Sequence, residues 1–174
     1  MNLEAEILSE HSKRVINRIV DFIGNDPERF AELMKLFFGN EYRITQRAAW
    51  AVSNVFKRYP NMVVPYLDKM LHLLADTQNI AVKRNTVRIL QDLEIPEELC
   101  GTAFEVCSRL LISPSETIAV RAFSITVLVN LTIRFPELKN ETRVLIEAAI
   151  QEGASAGMLS RANKELKRLG KLTK

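Results

Sequence analysis

Residues 120–131 read Val-Arg-Ala-Phe-Ser-Ile-Thr-Val-Leu-Val-Asn-Leu, and whether they form a strand or a helix decides the fold. The β-branched run from Ile125 to Val129 suits a strand by propensity. Spacing argues the other way. With Arg121 as an anchor, apolar or small residues stand one position before it (Val120) and two, three, six, seven and ten after it (Phe123, Ser124, Val127, Leu128, Leu131). That is the stripe of one helix face. The same set recurs around Lys83 as Val82, Asn85, Thr86, Ile89, Leu90 and Leu93, and around Gln46 as Thr45, Ala48, Ala49, Val52, Ser53 and Phe56. Around Lys13 it is Ser12, Val15, Ile16, Ile19, Val20 and Ile23, and a degraded copy on Ser160 keeps Leu159, Ala162 and Leu166. The anchors are separated by 33, 37, 38 and 39 residues. Because 120–131 shares its 3.6-residue spacing with the other copies, it reads as a helix, and the period marks stacked two-helix units.

The anchored helices are expected at 12–24, 42–58, 80–93, 117–134 and 156–169, with partner helices at 27–38, 61–75, 96–111 and 137–151. Pro27, Pro60, Pro96 and Pro136 each follow an anchored helix, where proline suits the first turn of the next one. Acidic residues follow Pro27, Pro96 and Pro136 and complement the positive end of the helix dipole. Short connections predict antiparallel neighbours. With no interdomain linker in view, the expectation is one repeat domain over 1–174.

The 174 residues are 47% hydrophobic and 26% charged, as in an ordinary globular chain, with a mean hydropathy near zero. The formal net charge of +3 is too small to imply a nucleic-acid partner by itself. Residues 161–174 are the most basic stretch, with Arg161, Lys164, Lys167, Arg168, Lys171 and Lys174 against Glu165. Such a run reads first as a solvated capping helix. No apolar run approaches the ~20 residues of a membrane span, and the acidic first residues lack a signal-peptide layout, so no membrane role and a cytoplasmic location are expected. Cys100 and Cys107 lie seven apart on one helix, too far for a disulfide, and read as small core residues.

Several segments resemble HEAT repeats. They are Val63-Val64-Pro65-Tyr66-Leu67 through Leu74-Ala75-Asp76, then Ile80-Ala81-Val82-Lys83 with Ile89-Leu90, and Glu116-Thr117-Ile118-Ala119-Val120-Arg121 with Val127-Leu128. The resemblance covers roughly residues 12 to 169. It implies an all-α, right-handed α-α superhelix (an α-solenoid) of about four HEAT-like helix pairs. It also implies a scaffold or assembly subunit for protein partners rather than an enzyme.

A row of arginines is the candidate binding surface. Arg14, Arg47, Arg84 and Arg161 stand one position past their anchors, with Ala122 the exception, and Arg88 falls one turn beyond Arg84. Equivalent positions in a solenoid align along one edge, so the row is expected to be solvent-facing and to meet a protein with an acidic surface. A phosphate backbone would meet the same charges. The alternative function is therefore a nucleic-acid-binding HEAT-like module, similar to a HEAT-like alkylpurine DNA glycosylase family that uses tryptophans, an Asp and an Arg. Here Trp50 stands alone, flanked by Ala48, Ala49 and Ala51, and is expected to pack between repeats at a truncation cost of roughly 3–5 kcal/mol. His11 and His72 have no ligand pattern around them, and no phosphate loop or nucleophile motif occurs. No cofactor, metal or catalytic residue is expected.

Overall fold

Each anchored helix begins at a residue whose side chain can accept from its own first turn. In the computed structural model, Ser12 accepts from the Val15 amide, Glu41 from those of Arg43 and Ile44, and Thr117 from that of Val120. Asn79 accepts from Ala81 and Val82, and Ser155 from Met158. These bonds satisfy amides that a helix start leaves without an intrahelical acceptor. The structure describes residues 1–172, and among them ten α-helices account for nearly all of the secondary structure, with no strand.

The chain divides into two compact units, Met1–Ile89 and Leu90–Lys174. The first holds α1 (Leu3–Ser9), α2 (Lys13–Ile23), α3 (Pro27–Phe37), α4 (Tyr42–Arg58), a 3₁₀ segment (Pro60–Tyr66) and α5 (Leu67–Asp76). Helix α6 (Ile80–Asp92) crosses the boundary. The second unit continues with α7 (Glu97–Ile112), α8 (Ile118–Arg134), a 3₁₀ turn (Pro136–Leu138), α9 (Lys139–Gln151) and α10 (Ala156–Gly170).

Nearly every position of the anchored stripe is interior. In α2 these are Val15, Ile16, Ile19, Val20 and Ile23, and in α4 Thr45, Ala48, Ala49, Val52, Ser53 and Phe56. In α8, Val120, Ser124, Val127, Leu128 and Leu131 are buried, and so is the whole run from Ser124 to Val129. That helix packs against α7, α9 and α10, which is why its β-branched residues pack at all azimuths. In the first unit α4 takes the same place, against α1, α2 and α3. Gly24 closes α2 at φ 55°, in the left-handed region where glycine carries no Cβ penalty.

Three expectations need correction. Residues 3–9 form a helix that the anchored pattern does not mark; it buries Leu3 and Ile7. The partner helices expected at 61–75 and 137–151 open as 3₁₀ segments over Pro60–Tyr66 and Pro136–Leu138 before turning α-helical. The last copy is also out of register. Helix α10 buries Met158, Ala162, Glu165 and Leu169, whereas Leu159 is exposed. Its anchor is therefore Leu159, which moves Arg161 to the stripe position two past the anchor and places Glu165 six past it.

Candidate interaction surface

The arginine row meets the structure residue by residue. Arg47 is half-buried, and its Nη1 donates to the carbonyls of Ile7 and Leu8 at 2.8 and 3.1 Å. It thus caps the carbonyl end of α1. Arg14 donates to Glu10 at 2.9 Å, just past the same helix end, and this pairing holds the Glu10 carboxyl below its ordinary range. One turn further, Arg18 Nε reaches Glu6 of α1 at 2.7 Å. The unexpected first helix thus engages Arg18 and Arg47, and the residue that caps its end engages Arg14. Arg84 is exposed, while Arg88 is half-buried.

Arg161 belongs to a hydrogen-bonded polar cluster inside the second unit. Its guanidinium donates to the Thr126 hydroxyl at 2.8 Å and to Gln91 Oε1 at 3.2 Å. Thr126 in turn donates to Glu165 Oε1 at 3.2 Å. The other Glu165 oxygen accepts from Arg168 at 2.6 Å, and Arg168 also donates to Asn130 Oδ1 at 2.9 Å. The Asn130 amide closes the chain on the Gln91 carbonyl at 2.9 Å. Glu165 is only 2% exposed, so its carboxylate is held by hydrogen bonds rather than by water. Arg161 and Arg168 therefore tie α10 to α8, and the basic run is not wholly solvated. Lys164, Lys167 and Lys171 of that run are exposed, while Lys174 lies outside the described residues. Arg121, which the spacing puts beside the row, is buried and donates to the Leu111 carbonyl at 2.8 Å and to Glu152 at 3.2 Å.

Trp50 is half-buried rather than enclosed, and His11 meets its ring edge to face with centroids 5.1 Å apart. Cys100 and Cys107 are free and buried. Burial pushes the Cys107 thiol up to about 12 and also raises that of Cys100. Neither is poised as a nucleophile. Among the described residues no cluster of His, Cys, Asp and Glu could hold a metal ion, and no helix is long and apolar enough to cross a membrane.

A second recurring feature escaped the hydrophobic pattern. The first residues of α4, α6 and α8 are Tyr42, Ile80 and Ile118, and they are 56%, 51% and 55% exposed. Within the first unit, Asn79 ties two of these helix starts together, donating to the Tyr42 carbonyl at 3.3 Å and the Thr45 hydroxyl at 2.9 Å. Arg84 stands four residues past Ile80, on the same face of α6. A signal was present in the repeated Ile-Ala-Val of 80–82 and 118–120, but apolar spacing cannot tell an exposed isoleucine from a buried one.

Each unit also carries a groove where a 3₁₀ segment opens a partner helix. The first unit's groove holds about 420 Å³ between Pro27 and Phe30 of α3 and Asn61, Met62, Pro65 and Tyr66. The second holds about 370 Å³ between α7 and the 3₁₀ turn, with Cys100, Phe104, Leu131, Phe135 and Leu138 among its lining. Comparison with curated proteins and with solved structures finds no match. A family model for the HEAT repeat domain matches residues 3–169, nearly the whole chain and inclusive of α1. The paired helices, their interior stripes and this match agree, and the chain belongs to the HEAT repeat family.

Proposed function

We propose that the chain is a non-enzymatic scaffold or assembly subunit that binds a protein partner through the helix starts of α4 and α6. The observation carrying this reading is the apolar residue left exposed at the opening of successive anchored helices. A helix start that faced only water would favour polar residues, and contiguous exposed apolar side chains on a folded surface mark contact sites. Tyr42 and Ile80 supply apolar anchors, and Arg84 supplies a charge for an acidic partner surface; aromatic and arginine side chains are the types that dominate such contacts. Arg47 and Arg161 donate to acceptors within the fold instead, while the exposed Arg14 pairs with Glu10 at the surface. Residues 1–174 act in this reading as one repeat domain, and two free buried thiols suit a reducing cytoplasm.

The test compares wild type with a Tyr42→Ser, Ile80→Ser, Arg84→Glu variant in crosslinked affinity purification from the source cell. Proteins retained by wild type are expected to be lost from the variant while its melting temperature is unchanged. Equal recovery by both would overturn the assignment. A duplex DNA titration separates the nucleic-acid alternative: tight binding that weakens by roughly one power of salt concentration per phosphate contacted would favour it.

A further inference from the structure

We propose that the groove between α7 and the 3₁₀ turn Pro136–Leu138 docks a basic peptide segment of a partner protein, which inserts an apolar side chain beside Gly101. This deepens the scaffold reading by adding a second contact face of opposite charge.

The groove is apolar at its base and acidic at its rim. Cys100 and Leu131 are buried beneath it, and Phe104, Phe135 and Leu138 are half-buried around it. Glu97 and Glu137 line it as well, both exposed and neither in an ion pair among the described residues. One cation borders the groove: Arg134 donates to the Ile95 carbonyl and to Cys100 Sγ and lies over the Phe135 ring, 5.4 Å from its centroid, so the two carboxylates outnumber it. Lys139 donates to the Leu172 carbonyl at 2.6 Å. A volume of about 370 Å³ lies at the lower end of the range of ligand clefts, room enough to seat an apolar side chain. The equivalent groove of the first unit has no carboxylate in its lining, so charge complementarity singles out this one for a basic ligand.

Gly101 points independently to an occupant. It sits inside α7, where glycine weakens a helix relative to alanine. A Cβ built on it would meet nothing within 4 Å. Packing within the chain therefore gives no reason for the missing side chain, and its φ is not positive. What the glycine does is keep the groove wall open, which matters only if something enters.

The experiment selects a random dodecamer peptide library on the whole chain and, in parallel, on Gly101→Met. Methionine is a better helix former and has open space to occupy, so this variant is expected to melt at or above wild type. Peptides enriched on wild type alone should carry an apolar residue flanked by Lys or Arg. A synthetic copy of the best peptide should bind Gly101→Met about tenfold more weakly, the loss expected for one anchoring contact. It should also bind Glu97→Gln/Glu137→Gln more weakly, a variant that keeps the groove's shape whatever methionine does to the helix. No enrichment, acidic winners, or equal retention by Gly101→Met would each overturn the proposal. So would concentration-dependent dimerisation of wild type that Gly101→Met abolishes, since a second copy would then be the occupant. Capture through Tyr42, Ile80 and Arg84 should be unchanged in both groove variants, so the two readings fail separately.

Discussion

Removing Arg168 should expose what the buried polar cluster is worth. Glu165 occupies a stripe position that holds Ile19, Val52, Ile89 and Val127 in the other copies, all buried. Its carboxylate is almost fully enclosed, and its one ion-pair partner among the described residues is Arg168 at 2.6 Å. Breaking a buried pair from one side costs about 3–5 kcal/mol, because the remaining charge is left unpaired. Two features reduce that figure here. The Arg168 side chain is 38% exposed, so water screens part of the attraction, and the Thr126 hydroxyl still donates to Oε1. Arg168→Ala should therefore destabilise by about 2–3 kcal/mol, which for a chain of this size lowers the melting temperature by roughly 4–12 °C. Glu165→Leu restores the residue type of the other copies and should be near neutral, since well-packed apolar replacements of buried ion pairs commonly are. The double variant Arg168→Ala/Glu165→Leu should then melt close to wild type. Thermal and urea unfolding followed by circular dichroism measure all four corners of this cycle. If Arg168→Ala melts like wild type, or if the two losses simply add, the carboxylate is not the buried liability described.

Arg47→Met should loosen α1 selectively, because it removes both donors to the Ile7 and Leu8 carbonyls. Hydrogen exchange should show lost protection over residues 3–9 with α4 unaffected, whereas Arg84→Met should change stability by no more than about 0.5 kcal/mol. Trp50→Ala should cost about 1–2 kcal/mol, below the 3–5 of an enclosed aromatic, because part of the residue stays in contact with solvent; a full-sized loss in a urea melt would contradict the observed exposure. Cys107 should resist alkylation at neutral pH until the protein unfolds. Its folded pKa of about 12 lies above the ordinary 9.0, so its contribution is intact below pH 9 and stability should fall as pH rises from 9 towards 12. A Cys107→Ala variant with an equally steep alkaline decline would assign that loss to other groups.

Helix type and interior stripe were legible because the anchored pattern repeats, and repetition overrules the strand propensity of Ile125 to Val129. What escaped it follows from the same rule. Helix α1 has seven residues, fewer than the window in which periodicity is measurable, although Asn2 before Leu3 and Ile7 was a cap-and-stripe signal. The last copy slipped by one because Leu159 and Leu166 look interior while Glu165 does not; only hydrogen-bond partners make a carboxylate an interior residue, and while Arg168 lies one turn on, Thr126 lies 39 residues away on α8. Arg14, Arg47 and Arg84 share one repeat position and Arg161 does not, and spacing cannot reveal whether a carbonyl waits beside a guanidinium. Arg47 and Arg161 found acceptors within the fold. The 3₁₀ openings were foreshadowed by Pro60, Pro65 and Pro136 but left no trace in the apolar stripe, and the grooves they border were equally invisible.

The burial of the α8 run Ser124–Val129 on every side also bears on biosynthesis. Ile125-Thr126-Val127-Leu128-Val129 is uncharged, free of proline and rich in β-branched residues, the composition that self-associates as stacked strands when exposed. A ribosome releases this segment before residues 156–170, which supply the helix that covers Thr126. Until that cover arrives, the nascent chain displays a sticky pentapeptide that a chaperone would recognise. Premature termination between 135 and 155 should therefore yield insoluble product rather than a smaller soluble solenoid.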